Sequence, residues 1–450
     1  MKAQAAQPML HGPLLPTLLR LATPNAIGLF ANTVVIGWDG YIVGRLGPDA
    51  LAGVAVVLPV AMLMLQMSAG ALGGSTTAVV ARALGAGDTP RAVRLAQHAL
   101  MVGWLASLLF TLAFAWPLVY GLMGARQAVL AHASQYAAVL FSGAFAVWTI
   151  NVLAGIARGA GDMKAAALAL IATTVMHVGL SSVLVFGAAG LPPLGVAGAA
   201  ASTVLCNAVS AVALLMWLSR RSSAVRVLGS AWRVRRDAFA QVLRLALPSA
   251  LSPVLSNGSI ALATAFMAGL GSLAVAGYGI AARLEYVLVP IAFGVGGALT
   301  AMVAANLGAG QVARARRVTW QGAALVCGIT GAIGLVAALQ PQWWMAMFTS
   351  DAAVQAAGAG YLRVVGGSYG FFGLGLALFF ASQGAGRLAA PLMSSAARLL
   401  VVGVGGWMAL HVLQAGTTSL YAVIALSLTV MGVALAWAVY RADWSSPVPA

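Results

Sequence analysis

Leu19-Arg20-Leu21-Ala22-Thr23-Pro24 returns as Leu243-Arg244-Leu245-Ala246-Leu247-Pro248. Working outward, Leu46-Gly47 with Gly53 returns as Leu270-Gly271 with Gly277, and Leu84-Gly85-Ala86-Gly87 as Leu307-Gly308-Ala309-Gly310. Gly159-Ala160-Gly161 returns as Gly384-Ala385-Gly386. The offsets are 224, 224, 223 and 225, so the copies stay in register across each half. Two similar halves in a very hydrophobic chain predict two helical bundles facing a central pathway, the ground plan of many secondary transporters.

The chain is 62% hydrophobic and 7% charged, with mean hydropathy +0.96. Soluble domains carry about 25% charge, so this is read as an integral membrane protein. Apolar runs fill almost everything between Leu14 and Tyr440, which leaves no room for a large soluble domain. Met1 to Pro13 is polar, and the first apolar run is too long for a signal-peptide core, so no cleavable signal is expected.

A spanning helix needs about 20 mostly apolar residues. Segmentation on that basis predicts twelve spans, at 15–41, 51–81, 92–118, 133–157, 165–187, 194–218, 240–268, 274–304, 318–339, 357–381, 390–411 and 418–440. Spans 2 and 8 are long enough to tilt or to project from the bilayer. The runs are not the alternating segments of about 10 residues that a β-barrel needs. The expected fold is an all-α membrane protein with two pseudo-symmetric six-helix lobes around a central cavity. The N-terminal lobe is 1–218, a basic cytoplasmic linker 219–239, and the C-terminal lobe 240–450.

The net charge of +16 reads as topology rather than as a nucleic-acid footprint. With the N-terminus in the cytoplasm, all of the 24 Lys and Arg but Arg45, Arg126, Arg283 and Arg363 fall in cytoplasmic segments or helix ends. That is a positive-inside bias. The densest cluster, Arg220, Arg221, Arg226, Arg233, Arg235 and Arg236, joins the halves as a topology anchor and anionic-lipid contact. Cys206 and Cys327 lie in apolar spans and are expected to be free thiols packed as small apolar groups.

Of eight acidic residues, Asp49, Asp88, Asp162, Asp237, Asp351 and Asp443 fall in loops or at helix ends. Asp39 and Glu285 are intramembrane, where an acid is costly and functional by default. Asn25, Asn32 and Asp39, spaced by seven, share one helical face. Pro24 breaks the helical hydrogen-bond ladder nearby and can act as a hinge. Thr174, His177 and Ser181 form a stripe on span 5, and Thr203, Asn207 and Ser210 one on span 6, with Asn151 in span 4. Each stripe alone would serve as helix–helix glue; convergence on one carboxylate is what points to coupling. Proton or Na⁺ entry would then favour one lobe geometry and the cargo the other.

Glu285 stands two residues from Arg283, so the two point roughly 200° apart on a helix and do not simply pair. Together they are the second-lobe candidates, for coupling, for a cationic substrate or for structure. Met62, Met64 and Met67 beside Gln66 would give a soft cavity wall or ordinary core filling. Trp148, Tyr286 and Phe293 would stack planar cations or simply pack.

The run Trp38-Asp39-Gly40-Tyr41-Ile42-Val43-Gly44-Arg45-Leu46-Gly47, followed by Leu51-Ala52-Gly53, resembles the end of the first helix of MATE (multidrug and toxic compound extrusion) transporters. Arg82-Ala83-Leu84-Gly85-Ala86-Gly87-Asp88 resembles that family's loop after helix 2, and Asn306-Leu307-Gly308-Ala309-Gly310-Gln311 its counterpart after helix 8. Gly155-Ile156-Ala157-Arg158-Gly159-Ala160-Gly161-Asp162 resembles the turn after helix 4. The resemblance covers about Leu14 to Arg398 and rests on four ordered motifs, each weak alone. It implies a cation-coupled antiporter that exports organic cations, drugs or metabolites by alternating access of two lobes.

Asp39 and Pro24 resemble the first-helix pair of the DinF-like branch. The NorM-like branch carries carboxylates in helices 7 and 10, where this chain has Ser252, Ser256, Asn257 and Ser259, then Ser368 and Tyr369. The DinF-like pattern of Asn followed four residues later by Asp in helix 5 is replaced here by His177 and Ser181. An imidazole suits Na⁺ poorly, so H⁺ is the better fit, with Na⁺ at Asp39 the alternative. No cofactor and no other metal are expected. The expected partners are small organic substrates and membrane lipids, not nucleic acid, and the chain is expected to be a monomer. The expected location is a bacterial cytoplasmic membrane with both termini inside.

An enzyme is not expected, because no Walker loop, zinc-ligand pattern or nucleophile elbow occurs. A lipid-linked precursor flippase of the same broad superfamily is the alternative, but such proteins often line the cavity with several Arg, for which only Arg283 and Arg363 qualify here. A passive channel or membrane scaffold fits the repeat and the two lone acids less well.

Overall fold

A chain in hydrocarbon must satisfy its own backbone, and a helix does so without neighbours. The sequence accordingly folds into helices, with no strand among the described residues. The computed structural model describes residues 7–188, 190–220, 224–228, 232–414 and 416–444. Of the expected positions, Arg221 and the side chain of Asn32 lie outside the described residues.

Among the described residues, twelve crossings result if one bent pair counts as a single span. In the first lobe they are α1 Leu14–Gly44, α2 Pro48–Gly85, α3 Thr89–Phe114, α4 (Gln127–Ser142 with Ala144–Gly159), α5 Met163–Phe186 and α6 Val196–Ser219. In the second they are α7 Arg236–Gly269, α8 Ser272–Gly308, α9 Val312–Leu339, α10 Ala352–Ala385, α11 Ala389–Val412 and α12 Thr417–Arg441.

Three details differ from the sequence reading. α3 stops at Phe114, because Pro117 cannot continue a helix and instead starts a short one, Pro117–Leu122. α4 bends by 47° at Gly143, where an added Cβ would collide with Val204 of α6. α2 widens into a π-helix over Gln66–Gly73, a feature frequent at functional sites.

The repeat is written into the backbone. Gly47 and Gly271 precede α2 and α8 with φ of 116° and 110°. Gly87 and Gly310 close the next turns at 78° and 75°, and Gly161 and Gly386 the following ones at 83° and 75°. Residues with a Cβ avoid these angles, which explains why both copies carry glycine there.

The turns at Gly87, Gly161, Gly310 and Gly386 lie on one face with the arginine-rich linker, here called the basic face. Near it the lobes are tied together. Arg82 Nη2 donates to the carbonyl of Ala385 at 2.8 Å. Gln383 Nε2 donates to the carbonyls of Gly70 and Ala71, each at 3.2 Å, and Asn25 Nδ2 to that of Gly294 at 2.9 Å. Gly85 abuts the backbone of Ala305, and Gly308 that of Arg82, with no room for a Cβ at either. Small residues let membrane helices approach this closely. α8 lies at the centre, packed on α1 and α2 of one lobe and on α9 and α10 of its own.

Toward the opposite face the polar groups bond within their own lobes, as Trp38 does to Ser181 and Tyr361 to Glu285. The first part of α2, Pro48–Leu65, packs on α4 of its own lobe. The lobes thus diverge into a cleft facing away from the basic face.

The described part of the linker is docked against the first lobe. Val225 and Val227 are fully buried. Gln97 Nε2 donates to the Val227 carbonyl at 2.9 Å, and the Arg235 N–H donates to His98 Nε2 at 2.9 Å. Trp104 and Trp232 stack with centroids 5.5 Å apart. On the outside of α3, Leu105, Leu108, Leu109 and Leu112 face outward while Leu95, Ala99 and Phe110 point in. This is the pattern of a helix with one side toward lipid.

Candidate functional site

α1 and α5 run side by side in the same direction. Gly28 lies against the backbone of Ala167, too close for an added Cβ to fit comfortably. Eleven residues on from Gly28 and ten on from Ala167, that register brings Asp39 opposite His177. Asp39 Oδ1 and His177 Nε2 are 2.8 Å apart, and both residues are buried. His177 Nδ1 lies 3.0 Å from Ser202 Oγ and 3.5 Å from Thr203 Oγ1, both on α6. The hydrogen-bond network assigns the ring nitrogens: Nε2–H donates to the carboxylate, and Nδ1 accepts from a hydroxyl. A hydroxyl also accepts, so the ring keeps both partners when Nδ1 gains a proton.

Around this pair, Trp38 Nε1 donates to Ser181 Oγ at 3.1 Å, and Tyr136 of α4 stands within electrostatic reach of Asp39. The structure thus brings Asp39, His177 and Thr203 together, with Ser181 beside them. It places the other first-lobe candidates elsewhere. Asn25 is about 20 Å along α1 from Asp39, bonded across the lobe interface to the carbonyls of Phe293 and Gly294, and its Oδ1 is buried without a partner. Asn151 Nδ2 donates to Ser68 Oγ at 2.9 Å, fixing α4 to the π-helix of α2. Asn207 Nδ2 donates to the Thr203 carbonyl of its own helix at 2.8 Å. Pro24 lies inside an unbroken α1, one residue before the interlobe Asn25.

Ser202 and Trp38 did not stand out from the sequence. The buried polar face of α6 carries Ser202, Cys206 and Ser210 at i, i+4, i+8; it shares Ser210 with the Thr203 stripe and otherwise lies one residue before it. That spacing was the available signal.

In the second lobe, Glu285 is buried and its Oε1 accepts from Tyr361 Oη at 3.3 Å. Tyr361 in turn packs edge-on to Tyr278 and Tyr421, with centroids 5.3 and 5.5 Å away. Arg283 is not its partner: its guanidinium sits over the Phe348 ring, 5.5 Å from the centroid. The cation within electrostatic reach is Arg398 of α11, buried over Phe372 with an unpartnered Nε. Positive-inside counting put Arg398 at a helix end; the structure places it inside the lobe. Among the described residues no group of three or more His, Cys, Asp or Glu could hold a metal ion. Cys206 and Cys327 are free thiols.

A family model described as MatE matches residues 24–183 and 248–408, one copy in each lobe. The chain belongs to the MatE family. Its members are transporters, so the chain is a transporter and not an enzyme. It is 26% identical over 381 residues to a FAD transporter of Shewanella oneidensis, covering 83% of this chain and 82% of that one. It is 30% identical over 328 residues to a NorM protein of Bradyrhizobium diazoefficiens, covering 71% and 68%. A solved outward-facing multidrug resistance MATE family transporter of the MOP superfamily superposes with a TM-score of 0.87 at 26% identity, covering 97% of this chain and 98% of that one. The two-lobe architecture and the cleft are therefore those of a MatE transporter.

Proposed function

We propose that the chain is a secondary active antiporter that exports small organic cargo, cationic drugs or metabolites, in exchange for H⁺. The observation that carries this reading is the buried Asp39–His177 pair, 2.8 Å apart and backed by Ser202. A proton entering the pair changes its charge in a site screened from water, where electrostatic energies are large. Imidazole is the side chain that changes charge between pH 5 and 8. Na⁺ prefers a cage of oxygens, and the nearest partner of Asp39 is a nitrogen. Asp39 with Pro24 and the lack of acids on α7 and α10 within the membrane favour the DinF-like branch.

Coupling then follows from linkage: proton and cargo each favour the lobe arrangement that binds it better. With the basic face cytoplasmic by the positive-inside rule, the cleft opens outward and both termini lie inside, in a bacterial cytoplasmic membrane. Glu285 is the second-lobe candidate, with Arg398 as its charge partner. Two complete lobes in one chain make the monomer the natural unit. A flippase for anionic lipid-linked cargo is disfavoured, because the buried Arg398 faces Glu285 rather than standing in a basic lining.

The test uses inside-out vesicles that contain the chain and a preformed proton gradient. Ethidium should collapse the gradient in the wild type without Na⁺, and Asp39→Asn should abolish the response. An unaffected Asp39→Asn would move coupling to Glu285.

A further inference from the structure

Among the described residues, the polar tie between the lobes that lies farthest from the basic face joins α2 to α7. Asn257 Nδ2 donates to Gln66 Oε1 at 3.2 Å. Asn257 Nδ2 also donates to the Pro253 carbonyl at 2.8 Å. That second bond fixes the Asn257 amide, because only its nitrogen can donate to a carbonyl. Gln66 must therefore present its oxygen to Asn257. Gln66 Nε2, a donor, and Asn257 Oδ1, an acceptor, remain with no partner among the described residues. Both residues are half-buried and stand where the lobes begin to diverge.

Two more observations mark the place. Gln66 opens the π-helix of α2, whose wide turn re-aims side chains and recurs at functional sites. One turn further, Phe293 of α8 lies against Gly70, 3.2 Å from where a Cβ would stand, and meets Phe380 edge-on at 4.8 Å. The Phe293–Phe380 aromatic pair thus lies about one turn along α2 from Gln66.

We propose that Gln66 and Asn257 read the cargo. They form a subsite for planar heteroaromatic molecules that carry a hydrogen-bond acceptor next to a donor on one edge, as an amide or imide edge does. The ring lies along Phe293, the ligand's carbonyl accepts from Gln66 Nε2, and its N–H donates to Asn257 Oδ1. The inference rests on the transport reading above, since it uses the same cleft. It adds that the bridge Asn257–Gln66 must part when the lobes exchange faces, so the contact that reads the cargo is also one that switching breaks.

The test is equilibrium binding to purified full-length chain in nanodiscs, without any gradient. The probes are lumiflavin and 3-methyllumiflavin, tricyclic rings alike in charge that differ in the N3–H donor. The wild type should bind lumiflavin roughly five- to tenfold more tightly, the worth of a net hydrogen bond. Gln66→Leu and Asn257→Leu should bind the two probes equally, while Asp39→Asn keeps the preference. Should Asn257→Leu fail to fold, Gln66→Met, which keeps the side-chain length, carries the test. Equal binding or no binding of both probes by the wild type overturns the proposal, as does a preference that persists in folded Gln66→Met. A wild type without the preference that still collapses a proton gradient on adding ethidium loses the subsite and keeps the transport reading. A wild type with the preference that moves no cargo does the reverse.

Discussion

Asp39 on α1 and His177 on α5 meet at 2.8 Å inside one lobe, with Ser202 behind the ring. The pair joins two helices of the same lobe, so its charge bears on how α1 packs on α5. At its other end α1 holds the second lobe through Asn25. His177→Gln keeps a hydrogen-bonding group beside Asp39 but removes the imidazole. The transport rate should fall about tenfold or more, the scale of a charge-assisted hydrogen bond. Proton-driven efflux by the variant checks it; an unchanged rate counts against the pair.

Arg82 fastens the basic face by donating to the last carbonyls of α10, Gly384 and Ala385. A cation at a helix C-terminus also complements the helix dipole. Arg82→Ala should weaken the closed basic face and favour the arrangement open to that side. A single-cysteine reporter at Ser75, buried against Ser249 in this arrangement, should label about tenfold faster from the basic side.

Gly85 leaves no room for a side chain against the Ala305 backbone. Gly85→Val should cost the closed basic face about 1–3 kcal/mol by overpacking while each lobe still folds. Transport should fall sharply with thermal unfolding little changed. Near-normal efflux would show that the two helices separate there without cost.

His98 ties the linker to α3 in a neutral form, since its Nε2 accepts from the Arg235 N–H while Nδ1 faces the Arg94 carbonyl at 2.7 Å. His98→Ala removes the acceptor of that part-buried N–H. It should lower stability by about 0.5–1.5 kcal/mol, the net worth of one hydrogen bond, read as an earlier thermal unfolding transition. Proton coupling by Asp39 should persist in whatever remains folded.

The two-lobe plan was legible because it rests on repeated glycines that the backbone needs, such as Gly87 and Gly310 at φ of 78° and 75°. The spans were legible from apolar length alone. Asp39 and His177 could be named because an acid and an imidazole are conspicuous among apolar residues. What stayed hidden was set by helix rotation and register, which spacing on one helix cannot give. Asn25 shares the Asp39 face by periodicity, yet it lies far enough along the helix to meet α8 instead. Ser202 rather than Asn207 reaches His177, a difference of rotation on α6. Arg398 is eight residues into its span, and only the packing of α11 on α7 and α12 shows it facing inward toward Glu285.

The most direct measurement of the central claim is proton release on cargo binding. Purified chain in weakly buffered detergent, free of Na⁺, is mixed with ethidium while a pH indicator is followed. The wild type should release protons on binding, and Asp39→Asn should bind ethidium and release none. Equal release from both proteins would contradict the assignment of coupling to Asp39 and His177.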